Sequence, residues 1–144
     1  MKKIPINREV IESKLKEIRD DLLELEYFKQ MSFEEYKKSI NFAASEHFLR
    51  RALEAMLEIG THILSRLPGA KPRVYKDIPL LLGERNIIPL DFANGKFTEM
   101  VGYRNRLVHF YDEVTKEELY HIIQNDLPDI EKFCRLIIKY ISSL

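Results

Sequence analysis

Apolar residues return every three or four positions along most of this chain, and that spacing limits what it can become. Ile11, Leu15, Ile18, Leu22 and Leu25 alternate steps of four and three, which lays one apolar stripe along one face of a helix. Asn7 is placed to cap that helix, which should run to about Phe28. Its opposite face, with Glu12, Lys16, Glu17, Arg19, Asp20 and Glu24, reads as a solvated surface.

The pattern continues. "SFEE" at 32–35 is a capping box, so a long helix should follow to about Arg66. Its buried side is traced by Tyr36, Ile40, Ala43, Ala44, His47, Phe48, Ala52, Ala55, Met56, Ile59 and Ile63. Gly60 costs about 1 kcal/mol in a helix relative to alanine, so close approach of a neighbouring helix is its expected compensation. "LPGAKPR" at 67–73 is the clearest break. A short helix should begin at Asp77 or Pro79 and end near Arg85. Pro89 fits the first turn of another, which passes Phe92, Phe97, Met100 and Val101, with Asn94-Gly95 offering an interruption. "TKEE" at 115–118 is a second capping box and opens the last helix, where Pro128 predicts a kink or a split.

With no convincing strand or repeat, the expected fold is all-α. It is an up-and-down antiparallel bundle of four to five helices, a single domain over residues 1–144. The first, second and last helices would form its walls. The 23 basic and 23 acidic residues cancel, so no global field draws the chain to nucleic acid or lipid. Phosphate affinity would have to come from local clusters. From Arg66 to Lys76 there are four basic residues and no acidic one; Lys71 and Arg73 in this stretch are candidate RNA contacts, with a solvated loop as the plain alternative. Cys134 is the single cysteine, which excludes an intrachain disulfide or a cysteine zinc site. No signal-peptide pattern or membrane-length apolar run occurs, so the expected location is the cytoplasm, with no membrane contact.

One stretch breaks the ordinary pattern: "RNRLVHFY" at 104–111. Asn105 and His109 are four apart and share a helical face. Arg104 and His109 are roughly 140° apart around a helix axis, so they share a face only where the helix loosens before His109. Leu107 and Val108 would anchor the segment to the core, leaving arginine, asparagine, histidine and tyrosine at a helix end. Those groups suit phosphodiester chemistry. Histidine exchanges protons near neutral pH, and arginine offers a fixed fork of donors to a phosphate and to the charge building on it. RNA brings its own 2′-hydroxyl nucleophile, so such a site needs no metal. Metal-ligand spacing is poor: only Glu58, four before His62, makes such a pair with His47 or His62. The bland reading stands beside this one. A lone histidine at a helix end is more often a cap or a satisfied core group, Tyr111 would be a packing residue, and His62, Glu54 and Glu58 would be helix-surface groups.

The stretch resembles the motif of HepT-like proteins of the HEPN superfamily: arginine, four residues, histidine, one residue, tyrosine. Arg104, His109 and Tyr111 match it, and Asn105 is the usual residue after the arginine. The similarity extends through "RRALEAMLEIGTHIL", "LPGAKPRVYKDIPLLLGERNIIP" and "MVGYRNRLVHFYDEVTKEELYHIIQNDL", nearly the whole chain. It implies a homodimer in which two motifs line one cleft, and metal-independent endoribonuclease cleavage without a cofactor. Arg104 would bind phosphate, His109 would transfer protons and Asn105 would orient them, with Glu54 and Arg51 of the long second helix in support. It further implies the toxin of a type VII toxin–antitoxin pair. Its partner would be an MntA-like minimal nucleotidyltransferase antitoxin that silences the toxin by transferring AMP to Tyr111. The alternative is a catalytically idle, substrate- or nucleotide-binding partner of a nucleotidyltransferase.

Overall fold

The computed structural model describes residues 5–109 and 114–144. Helix α1 (Arg8–Lys29) opens on Asn7, whose side chain accepts from the Val10 N–H at 3.3 Å. Its buried face holds Ile11, Leu15, Ile18, Leu25 and Phe28, as the spacing predicts, but Asp21 is buried in the same stripe and Leu22 only half so. Burial raises the Asp21 pKa; Arg51, bonded through Nε at 3.2 Å, opposes that rise.

Ser32 caps as expected, accepting from the Glu35 N–H at 3.3 Å. The long helix predicted after it is instead two, α2 (Phe33–Tyr36) and α3 (Ser39–Ser65), parted where Lys38 turns extended. Tyr36 packs at the break, fully buried and hydrogen-bonded to Ser45 at 2.7 Å. Ile40, Ala43 and His47 are exposed, against the predicted buried side. The pairing of α1 with α3 accounts for Ile40 and Ala43, while His47 lies beside α1 on the side of Asp21. Asn7 meets His62, Asp21 meets Arg51 and Phe28 meets Phe48, so the two helices run antiparallel. The first turns of α3 therefore project past the end of α1. Beyond that overhang the stripe holds, and Ala52, Ala55, Met56, Ile59 and Ile63 are all at most 1% exposed.

Helix α4 (Asp77–Glu84) crosses α3 at Gly60, where a Cβ would lie 2.5 Å from Ile78 Cγ2 and 3.3 Å from Leu82 Cδ1. Close approach is thus what the glycine permits. Asn86, in the left-handed region at φ 60°, turns the chain after α4. Pro89 then sits just before the one-turn α5 (Leu90–Phe92), at its cap rather than inside its first turn. The interruption foreseen at Asn94-Gly95 is a π-helical turn, Ala93–Phe97, which leads without a gap into α6 (Thr98–Val108). The Thr98 hydroxyl donates to the Ala93 carbonyl at 2.7 Å, meeting an acceptor that the widened turn disturbs.

Thr115 caps α7 (Lys116–Asn125), accepting from the Glu118 N–H at 3.1 Å. Pro128 splits the last helix: α7 ends before Asp126, and α8 (Leu127–Ser142) starts with the proline in its first turn, where its missing N–H costs nothing. Leu144 at the end of α8 accepts from Arg8 at the start of α1, so α8 runs antiparallel to α1. Helices α1, α3, α6 and α8 thus form an up-and-down bundle around one core. Each large apolar side chain buried there contributes about 1.5–3 kcal/mol, and Phe97 against Phe133 at 4.9 Å ties the π turn to α8. The described residues contain no strand and no helix long and apolar enough to cross a membrane.

Candidate functional site

The motif occupies the last turn of α6 and the residue beyond it. The helix ends at Val108, and His109 is extended at φ −90° and ψ 123°. The chain loosens just where the sequence requires it to, one residue before the imidazole. Tyr111 lies outside the described residues.

Arg104 is the most constrained side chain here. It is 18% exposed, and its Nη2 lies 3.6 Å from Glu54 Oε1 on α3. Its Nη1 reaches Asn105 Oδ1 at 3.5 Å. Its guanidinium carbon stands 4.6 Å from the centre of the Tyr75 ring, within cation–π range. Its Nε is buried and has no hydrogen-bond partner among the described residues. A buried charged donor without a partner costs about 1–3 kcal/mol or more, so this arginine is held by its neighbours with donor capacity unspent.

Asn105 and His109 face an open pocket of about 510 Å³. Its other wall is the connector between α3 and α4, through Arg73, Val74, Tyr75 and Lys76, with Thr61 of α3 between. The Asp77 carboxylate fixes that connector, accepting from the N–H groups of Arg73 at 2.8 Å and Val74 at 3.2 Å. Two basic side chains and no carboxylate line this pocket. A neutral chain thus presents local positive charge beside its histidine. On the other side of His109 a second pocket, of about 350 Å³, is lined by Phe42, Glu46, Arg106 and Val114 among others. Arg106 donates to Glu118 on α7 at 2.7 Å, tying the motif to the next helix.

Of the predicted supports, Glu54 joins Arg104 and Arg51 does not. The Arg51 guanidinium is held by Asp21 at 3.2 Å and Glu17 at 3.5 Å, on α1. The buried Asp21 carboxylate, which has no other ion-pair partner among the described residues, decides that direction. Arg73 lines the pocket, while Lys71 is exposed and takes no part in the pocket wall. Sequence reasoning missed Tyr75. Its signal was a lone aromatic between basic residues in the connector. It also missed His62, whose Nε2 accepts from the Asn7 N–H at 3.1 Å and so helps to start α1.

Tyr103, one position before the motif, braces α6 against the α7–α8 junction. Its hydroxyl donates to Glu99, and Asp126 Oδ2 lies 3.2 Å away. Burial, together with these two acidic neighbours, pushes the phenol pKa up. Burial likewise raises that of Asp126, which is 8% exposed.

An all-α bundle thus places Asn105 and His109, from the end of one helix, on a basic pocket, with Arg104 held beside it against Tyr75. The family model described as ribonuclease HepT-like matches residues 11–137, and the chain belongs to that family. A relative described as tRNA nuclease HepT, from Aphanizomenon flos-aquae, is 29% identical over 136 residues, covering 94% of this chain and 92% of its own. The mRNA nuclease HepT of Shewanella oneidensis is 33% identical over 89 residues, 62% of this chain and 66% of that one. Among solved structures, a tri-AMPylated Shewanella oneidensis HEPN toxin in complex with MNT antitoxin superposes with a TM-score of 0.82. It is 25% identical and is matched over 90% of this chain and 97% of that one. YutE of Bacillus subtilis, a cytosolic protein of unknown function, shares the fold with a TM-score of 0.83 at 20% identity, covering 96% and 92%.

Proposed function

We propose that this protein is a metal-independent endoribonuclease acting as the toxin of a toxin–antitoxin pair. The observation that carries the reading is the partly satisfied Arg104 guanidinium beside a basic pocket that also holds Asn105 and His109. In the proposed reaction the RNA 2′-oxygen attacks the adjacent phosphorus and the P–O5′ bond breaks. The products are a 2′,3′-cyclic phosphate and a 5′-hydroxyl. His109 takes the 2′ proton or supplies one to the departing 5′-oxygen. Arg104 holds the phosphate and the charge that grows on it. Glu54 keeps the guanidinium from swinging away, and Asn105 links the arginine to the pocket.

Within one chain Arg104 is half-buried while His109 is exposed beyond the helix end. A homodimer with two motifs in one cleft lets the imidazole of one copy serve the guanidinium of the other. The antitoxin is proposed to be an MntA-like nucleotidyltransferase that moves AMP from ATP onto the Tyr111 hydroxyl. A phosphate added seven residues along the chain from Arg104 would compete with RNA for that guanidinium. The tri-AMPylated toxin with its MNT antitoxin is the relative that supports this part.

Labelled RNA incubated with the purified protein in EDTA tests the catalytic reading. Wild type should cut, and Arg104→Ala and His109→Ala should each lower the rate by roughly 10²–10⁴. Intact RNA with unmodified wild type would point instead to an idle binding partner of the nucleotidyltransferase, a role compatible with the Glu54–Arg104 pair. For the modification, co-expression with the antitoxin should add the mass of AMP to the Tyr111 peptide. An unshifted peptide would remove that mechanism and leave the nuclease untouched.

A further inference from the structure

The ring of Tyr75 is held in a way that packing alone does not require. It is 43% exposed, beside Val74 at 62%, in a connector rich in basic residues. Its backbone is fixed: the Asp77 N–H donates to the Val74 carbonyl and the Ile78 N–H to the Tyr75 carbonyl, each at 3.1 Å. Its ring meets the Arg104 guanidinium at 4.6 Å, and Tyr75 lines the 510 Å³ pocket together with His109. That volume lies in the range of small-molecule sites, about 300–1,000 Å³.

We propose that this pocket is a nucleobase subsite, in which the base next to the cleaved phosphate stacks on Tyr75. The inference rests on the ribonuclease reading and adds the part of the substrate that the motif does not read. An aromatic ring is a surface any base can stack on. Unpaired RNA is recognised largely in this way, because its bases can turn outward. Thr61 and Asn105 also line the pocket, and a hydroxyl and an amide offer both donor and acceptor to a base edge. Arg73 and Lys76 flank the ring, where the neighbouring phosphates would run. The substrate is therefore single-stranded at the cut.

A 2′-O-methyl oligoribonucleotide, which lacks the nucleophile, separates binding from cleavage. Its affinity, followed by anisotropy of an end label, should fall about 5- to 150-fold for Tyr75→Leu and little for Tyr75→Phe. With an abasic residue at one position, wild type and Tyr75→Leu should bind alike. The chain has no tryptophan, so Tyr75→Trp introduces a single indole. The intact oligonucleotide should quench its emission, and the abasic one should not. Equal weakening by Tyr75→Leu on intact and abasic strands, with an unquenched indole, would show that Tyr75 only braces Arg104 and would overturn the subsite. Cleavage by wild type would then still leave the nuclease standing. Absence of both binding and cleavage would overturn the nuclease reading and the subsite with it.

Discussion

At the scale of single residues, Arg104 is pulled by three unlike partners. Glu54 offers charge, Asn105 a carbonyl oxygen and Tyr75 a π face. A point charge would satisfy the first and match the others poorly, because the ring and the fork both need a planar cation. Arg104→Lys should therefore keep the salt dependence of RNA binding, which counts charges, yet lower single-turnover cleavage at least about tenfold. A lysine variant cutting at the wild-type rate would mean that only charge matters here. The grouping of Arg104, Asn105 and His109 at one helix end was legible because they fall within six consecutive positions. Tyr75 was not, since its meaning comes from a contact with a residue far along the chain. Arg51 misled for a related reason. Its direction is set by Asp21, a carboxylate buried at a position that periodicity assigns to the margin of the α1 stripe.

At the scale of elements, α3 is the hub, and its contact with α4 depends on one missing methyl group. Ile78 is 1% exposed and has no room to retreat from a Cβ placed 2.5 Å from its Cγ2. Overpacking of this kind costs about 1–3 kcal/mol, against about 1 kcal/mol that alanine gains over glycine in a helix. Gly60→Ala should lower Tm by a few degrees, about 2–4 °C per kcal/mol at this size. A melting point at or above wild type would show that α4 can shift at little cost. The effect should reach the site, because the connector that carries Tyr75 is anchored on α4 through Asp77. The helices were readable from spacing, caps and prolines. The break between α2 and α3 was not, because Lys38 turns extended with no proline or glycine beside it to mark the place.

At the scale of the whole molecule, the two longest helices are joined end to end by a titratable group. The Asn7 N–H donates to Nε2 of His62, an arrangement that needs that nitrogen unprotonated. Burial first, then the Arg66 charge, lowers the His62 pKa below its ordinary 6.5. As the pH falls through 6.5 the unfolded chain takes up this proton before the folded one, so stability drops with it. The contribution is complete above the unfolded value and disappears as the pH passes below the folded one. Tm should fall between about pH 7.5 and about pH 5.5, and His62→Gln, which can still accept from Asn7, should flatten that fall. Equal slopes for the two proteins would assign the acid sensitivity elsewhere. The bundle as a whole was legible; the sequence lacked only the overhangs that decide which ends meet. The π turn at Ala93–Phe97 matters at this scale as well. One surplus residue in a helix advances everything downstream by about a quarter of a revolution. The compass bearing of the motif is therefore set about two turns upstream of it, and a chain one residue shorter there would aim the same side chains at a different part of the bundle.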